Sequence, residues 1–296
     1  MTDTVPISLS TLAIRRYADV SEFRTHIDAL AAEAAESGSR LLLLPELTCV
    51  GLLWGDAEAG QTTAVGVSDL YRRRLTPLLH AYEDALREVA QRRRIVLAGA
   101  SFWHEEGDKG INTAFIAFPD GSLQRQDKLH PTRPEQAIGT IGGDKLDAFE
   151  IDGVRMGLLI CYDIQFPELT RHLVAEGARI ILVPSLTSER GYWRVRHCAH
   201  ARAVENQIYV CVAPLIGDLG IPNDHPVQGR GGAFVACPID NRFNIDEGTY
   251  ARASSNADAL LHVRLDMARL ELSRSRSEIR QLADRRPALY AQLRTR

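Results

Sequence analysis

Lysine is scarce in this sequence. Of 35 basic residues only Lys109, Lys128 and Lys145 are lysines, and arginine serves everywhere else. No charge sign dominates either: 38 acidic residues leave a net charge of −3, so no basic excess points to nucleic acid or an anionic membrane as partner. Long hydrophobic runs are missing. The stretches 41–45, 157–161 and 208–217 are too short to cross a bilayer. The five cysteines, Cys49, Cys161, Cys198, Cys211 and Cys237, are odd in number and widely spaced, and no CxxC occurs. That excludes a disulfide framework and argues against a thiolate metal site. Residues 1–10 include Asp3 and lack a basic segment followed by an apolar one, so they do not read as a secretory leader. The expectation is a cytoplasmic protein with free thiols, and with no metal and no cofactor.

What is present is a chain of 296 residues, 45% hydrophobic and 25% charged, with 22 Gly and 13 Pro. These values suit a globular protein with a sizeable core. Strand-like and helix-like stretches mix throughout, and no linker divides them, so a single α/β domain over residues 1–296 is expected. Strands are expected at 7–14, 41–45, 95–100, 180–183, 208–213, 232–236 and 260–265. Hairpins are expected at 112–126, around Pro119-Asp120-Gly121, and at 148–160, around Asp152-Gly153. Helices are expected at 20–36, 68–94 with a break at Pro77, 167–176, 192–206, 267–272 and 278–283. Residues 48–65 and 128–143 read as loops.

Three stretches place a reactive side chain just beyond an expected strand, where α/β folds put ligand-binding groups. LLLLPEL at 41–47 delivers Glu46 off a wholly apolar run. Such a carboxyl is either poorly solvated and able to act as a base near neutral pH, or turned to water or an arginine. QDKLH at 126–130 carries Lys128, either an ammonium fixed beside a reacting carbonyl or a surface cation. The rarity of lysine favours a site that needs its compact charge. GLLICYD at 157–163 carries Cys161, with FPE at 166–168 opening a helix. Cys161 is either a nucleophile beside a base or helix N-terminus, with the Tyr162 N–H as an oxyanion donor, or a buried structural thiol. Cys211 and Cys237 fit the structural reading. His197 and His200, three apart on a helix, have no evident third metal ligand.

Together the three stretches resemble the carbon–nitrogen hydrolase family of the nitrilase superfamily, whose triad is Glu–Lys–Cys in that order. Further blocks are similar to the family's: NTAFI at 112–116, Glu135 in KLHPTRPE at 128–135, GARIILVPS at 177–185 and ARAVEN at 201–206. ERGYWRVR at 189–196 and DRRPALY at 284–290 resemble a bacterial branch of uncharacterised hydrolases, in which a fused acetyltransferase sometimes occurs; no such extension is expected here. One departure falls at Pro131, where the family usually has leucine, in the loop that carries Glu135.

The resemblance covers about residues 7–266 and implies a four-layered α-β-β-α sandwich, eight-layered in a homodimer. Residues 166–176 and 192–206, with the C-terminal extension 267–296, would lie at the dimer interface. It implies hydrolysis of a non-peptide C–N bond of a small amide through a thioester on Cys161. Glu46 would be the base, Lys128 and Tyr162 the oxyanion donors, and Glu135 a residue that orients Lys128. An aliphatic or ω-amide of a carboxylic acid is the first expectation, an N-carbamoyl amide the next and a nitrile the last; a non-catalytic scaffold of the same fold is the rival. Trp54, His130, Ser185, Thr187, Trp193 and the loop 217–226 are the candidate substrate contacts.

Overall fold

A computed structural model describes residues 3–57, 59–63, 66–220 and 228–293. β1 (Thr4–Ala13) is followed by α1 (Val20–Glu36). Asp19 caps that helix by accepting from the Ser21 and Glu22 N–H groups, and the helix buries Phe23, Ile27, Ala31 and Ala34 on one face. β2 (Leu41–Leu43) leads into a 3-10 segment at Thr48–Gly55, then come α2 (Val67–Arg74), a short turn at Thr76–Leu78, α3 (Leu79–Arg93) and β3 (Val96–Glu106). β4 (Lys109–Ala117) and β5 (Leu123–Asp127) form a hairpin, and α4 (Arg133–Ala137) follows. β6 (Phe149–Ile151) and β7 (Val154–Leu158) form a second hairpin, followed by a 3-10 turn at Cys161–Gln165, α5 (Pro167–Ala175), β8 (Ile180–Leu186) and α6 (Glu189–Asn206). The chain continues through β9 (Tyr209–Asp218), β10 (Gln228–Gly229), β11 (Phe234–Ala236), β12 (Thr249–Arg252), β13 (Ala259–Asp266), α7 (Met267–Arg276) and α8 (Pro287–Leu293).

The strands make two sheets. The first runs β13-β1-β2-β3-β4-β5, and the second β6-β7-β8-β9-β11-β12. β1 joins them: Ile7–Leu9 pairs with β2, while Leu12 and Ala13 pair with Leu215 and Ile216 of β9. Alternation along β2 explains its unbroken leucines. Leu42 packs with Phe23 and Ile27 of α1 and Tyr82 of α3, in the cluster between helices and first sheet. Leu41 and Leu43 belong to a second cluster that includes Ile181 and Val212 of the second sheet and Val195 and Ala199 of α6. A strand covered on both faces needs apolar residues at every position. The layers are therefore helix, sheet, sheet, helix, as the four-layer expectation holds.

Three local expectations need correction. Residues 48–55 are not a surface loop but a buried 3-10 segment, because Cys49, Val50, Leu52 and Leu53 pack into the core. Residues 128–143 contain α4, started by a capping box in which Thr132 and Glu135 serve each other's backbone N–H. The expected helix at 278–283 does not form. α7 instead runs on to Arg276, and the Glu278 carboxylate is taken up by the Asn241 N–H at 3.1 Å. Among the described residues no helix is long and apolar enough to cross a membrane.

Candidate active site

The C-terminal ends of β2, β5, β7 and β8 converge on one cavity of about 850 Å³. Glu46 lies three residues beyond β2. Leu44 extends the ladder by donating to the Ala98 carbonyl, and the Leu47 N–H donates to Ser101 Oγ at 2.8 Å, so the backbone on both sides of the glutamate is held. Lys128 follows β5 directly. Its N–H donates to the Asn112 carbonyl of β4, and its carbonyl accepts from Gly143. Both side chains are 2% exposed.

Lys128 Nζ donates to Glu46 Oε1 at 2.7 Å and to both carboxylate oxygens of Glu135 at 2.8 Å. Asn112 Nδ2 donates to Oε1 of each glutamate at 3.1 Å. The remaining oxygens differ. Glu46 Oε2 accepts the Leu186 N–H at 2.8 Å, whereas Glu135 Oε2 accepts the N–H and hydroxyl of Thr132, both at 2.7 Å.

Cys161 begins the 3-10 turn after β7 with φ of 49°. A side chain in this left-handed region costs about 1 kcal/mol, and here the turn carries Sγ into the cavity wall. Its thiol lies 3.8 Å from the Leu186 carbonyl, so the main chain of one residue, Leu186, touches the thiol through its C=O and Glu46 through its N–H. The Tyr162 N–H belongs to the first turn of this segment, whose leading N–H groups have no acceptor within it. Asp163, 1% exposed, accepts from the Leu129 and His130 N–H groups at 3.1 and 2.8 Å and lies 3.0 Å from His130 Nδ1. It thereby ties the chain after Lys128 to the turn after Cys161.

Two carboxylates and one ammonium carry a formal charge of −1 largely shielded from water, and their surroundings decide which carboxyl is the easier to protonate. Burial pushes Glu46 above the usual carboxylate range, and the nearby Glu135 adds to this, against the pull of Lys128. Burial acts on Glu135 the same way, but Lys128 and Thr132 overcome it and hold its carboxyl low. Burial by itself would lower Lys128; Glu46 and Glu135 outweigh it and keep the ammonium charged. Burial, then Glu46, lift the Cys161 thiol well above its ordinary value, with Lys128 opposing. The resting pair is a thiol beside a carboxylate that is readily protonated, next to a fixed cation.

Of the residues expected to contact substrate, Thr187 lines this cavity and the others lie elsewhere. Ser185 is fully buried in β8. Trp54 donates through Nε1 to the Leu219 carbonyl at 3.0 Å and stacks under Arg16. Trp193 donates to Glu189 at 2.9 Å and lines a separate cavity with Arg252 and Asn256. His130 stacks on Phe166 at 3.7 Å beside Asp163. Residues 221–226 of the expected rim loop lie outside the described residues. Arg133 and Arg194, not anticipated from sequence, line the cavity and have no carboxylate partner among the described residues. Both ring nitrogens of His200 are engaged, by the Arg196 carbonyl and Thr249 Oγ1. No three His, Cys, Asp or Glu side chains among the described residues converge as a metal site would require. All five cysteines are free, and burial pushes Cys49 and Cys237 up to about 12.

Asn112, Thr132 and the Leu186 peptide were missed from sequence. Only Thr132 left a local signal, the T-x-x-E spacing to Glu135.

The chain is similar to known proteins in sequence and in fold. The probable hydrolase YhcX of Bacillus subtilis is 31% identical over 289 residues, covering 97% of this chain and 54% of that protein. The chain thus spans about half the length of that relative. The omega-amidase NIT2 of Homo sapiens is 28% identical over 218 residues, covering 70% of this chain and 73% of that one. A solved structure of the amidase from Nesterenkonia sp. AN1, showing the result of Michael addition of acrylamide at the active site cysteine, superposes with a TM-score of 0.72 at 26% identity. It covers 98% of this chain and 99% of that one. The carbon-nitrogen hydrolase family model matches residues 7–270, so the chain belongs to the carbon–nitrogen hydrolase family.

Proposed function

We propose that the protein hydrolyses the C–N bond of a small amide through a thioester on Cys161. One observation carries this reading: Glu46, Lys128 and Cys161 meet at one cavity, with the Leu186 main chain touching the thiol through its C=O and the carboxylate through its N–H. Glu46 takes the thiol proton through Oε2, the oxygen that Lys128 leaves to a single N–H donor. The sulfur attacks the amide carbon, and its carbonyl oxygen becomes an oxyanion facing Lys128 and the Tyr162 N–H. Collapse breaks the C–N bond, and Glu46 returns its proton to the leaving nitrogen. Glu46 then takes a proton from water, whose oxygen displaces sulfur and releases the acid. Glu135, through its grip on Nζ, keeps the lysine aimed.

Two guanidiniums at the cavity with no carboxylate partner among the described residues, Arg133 and Arg194, favour an amide whose far end is a carboxylate. The name of the omega-amidase relative supports the same class. The enzyme works as a homodimer in the cytoplasm, pairing through α5 and α6. Exposed Trp193 on α6, Leu272 on α7 and Ile279, Tyr290 and Leu293 beyond it supply apolar surface for that contact.

Ammonia release should be screened across monoamides of dicarboxylic acids, neutral aliphatic amides, carbamoyl compounds and nitriles. The expected outcome is turnover of an amide, an acyl adduct on Cys161 after a short pulse quenched in acid, and loss of both in Cys161→Ala. Turnover of every accepted amide by that variant would overturn the assignment.

A further inference from the structure

Asn112 has no part in the scheme above, yet it contacts more of the site than any other neutral side chain. It lies in β4, 1% exposed. Nδ2 is 3.1 Å from Oε1 of Glu46 and 3.1 Å from Oε1 of Glu135. The same two oxygens accept from Lys128 Nζ at 2.7 and 2.8 Å. The four atoms form a closed ring, two donors alternating with two acceptors. The main-chain carbonyl of Asn112 also accepts the Lys128 N–H at 2.8 Å. One residue therefore holds the backbone of the lysine and both of its counter-ions.

The orientation of the amide follows from its neighbours. Turned over, it would set Oδ1 against two carboxylate oxygens. As it stands, Oδ1 is buried and has no protein hydrogen-bond partner among the described residues. An apolar residue of this size would avoid burying that acceptor, so the two N–H groups are what the position requires.

We propose that Asn112 is a positioning residue that keeps Glu46 ionised and aimed while Lys128 turns to the oxyanion. The inference rests on Glu46 as base and Lys128 as oxyanion donor. In the resting site Nζ directs its donors at carboxylate oxygens. When one of them swings to substrate, Oε1 of Glu46 loses part of its hydrogen bonding just as Oε2 must handle a proton. The donors of Asn112 stay in place through that change. Their neutrality matters. A cation here would bind Glu46 too tightly for it to take a proton, and a carboxylate would add a third negative charge. The charged and titratable groups facing Glu46 are Lys128 from the end of β5, Glu135 from α4, Cys161 from the turn after β7 and Cys49 from the segment after β2. The Leu186 N–H of β8 completes its surroundings.

The test uses Asn112→Leu, which keeps the volume and removes both donors, and Asn112→Asp, which keeps the shape and adds charge. Iodoacetamide alkylation of Cys161, followed by peptide mass spectrometry across pH, reads the proton transfer to Glu46 without any substrate. The kcat/KM profile for whichever amide the wild type hydrolyses reads the same ionisation. The acidic limb of both profiles should move up by about one pH unit in Asn112→Leu, the value of one charge-assisted hydrogen bond, and further in Asn112→Asp. kcat at the optimum should fall about tenfold, with KM little changed. A limb that stays put, whether activity is lost evenly at all pH or not at all, overturns the proposal. Should Asn112→Leu fail to fold, Asn112→Met, which also lacks both donors and adds no charge, decides in the same way. If the wild type turns over nothing in the screen, the hydrolase reading falls, and the alkylation profile still judges Asn112.

Discussion

Glu46 and Glu135 lie against the same ammonium, at 2.7 and 2.8 Å, but reach it from different architecture. Glu46 comes off the end of a buried strand, 82 residues from Lys128 in sequence. Glu135 sits seven residues from the lysine, in the first turn of a short helix whose cap it completes. The cap supplies Glu135 with an N–H and a hydroxyl on one oxygen, whereas the matching oxygen of Glu46 has the Leu186 N–H. Burial therefore wins at Glu46 and the donors win at Glu135, and their carboxyls move in opposite directions. In the proposed scheme, identical side chains a few ångströms apart become a proton acceptor and a fixed counter-ion. What separates them is how many N–H and O–H groups the backbone around each can offer.

Substituting each glutamate breaks this contrast. Glu46→Gln should lower kcat/KM about 10³-fold, within the usual span for a lost general base. Glu135→Gln keeps the hydrogen bonding and loses the charge, so a fall of about 10–100-fold is expected. The acidic limb should separate the two further. In the wild type it should lie above the ordinary glutamate range, since protonated Glu46 cannot accept the thiol proton. In Glu135→Gln it should move down, because the Glu135 charge is one of the groups that raise Glu46. A limb that rises in this variant would mean that Glu135 acts on Glu46 chiefly through Lys128.

Thermal midpoints should diverge by a smaller amount. Glu46 is harder to ionise when folded, so its contribution is present at acid pH and lost as pH rises through the folded value. Glu46→Gln should therefore melt higher than wild type near pH 7, and the gap should close in acid. Glu135 is easier to ionise when folded, so its stabilisation is present near neutrality and fades as pH falls. Glu135→Gln should melt lower near pH 7 and approach wild type in acid. The same sign in both variants would remove the distinction. The smallest change is Thr132→Val, which deletes one hydroxyl donor to Glu135. About 1 kcal/mol, read as roughly a fivefold loss of kcat/KM, is expected from such a cap.

Much of this site was legible in sequence because strands end where chemistry begins. The leucines of 41–44 announced a strand covered on both faces, and the charged residue after it had to sit at a sheet end. The same logic located Lys128 and Cys161. Asn112 left no such trace. Its contacts depend on β4 lying beside β5 in one register and reaching across to the end of β2, which no local spacing records. α4 was hidden by Pro131, Pro134 and Gly139, which read as loop, although the Thr132–Glu135 box was present. The aromatic candidates lie off this cavity for a related reason. Trp54 and Trp193 stand near site segments in sequence, but the 3-10 segment packs Trp54 toward Leu219, and α6 turns Trp193 to its own Glu189.

The pairing of β13 with β1 has a consequence during synthesis. β1 leaves the ribosome before β2 and β9, which supply two of its neighbours as they appear. Its flank from Thr4 to Thr11 waits for Ala259–Asp266, among the last described residues to be made. Until then a nascent chain with every candidate catalytic side chain already translated still carries an open strand edge, a template for pairing with another chain. A chaperone that covers the first ten residues should raise the yield of folded enzyme more than one that acts after release.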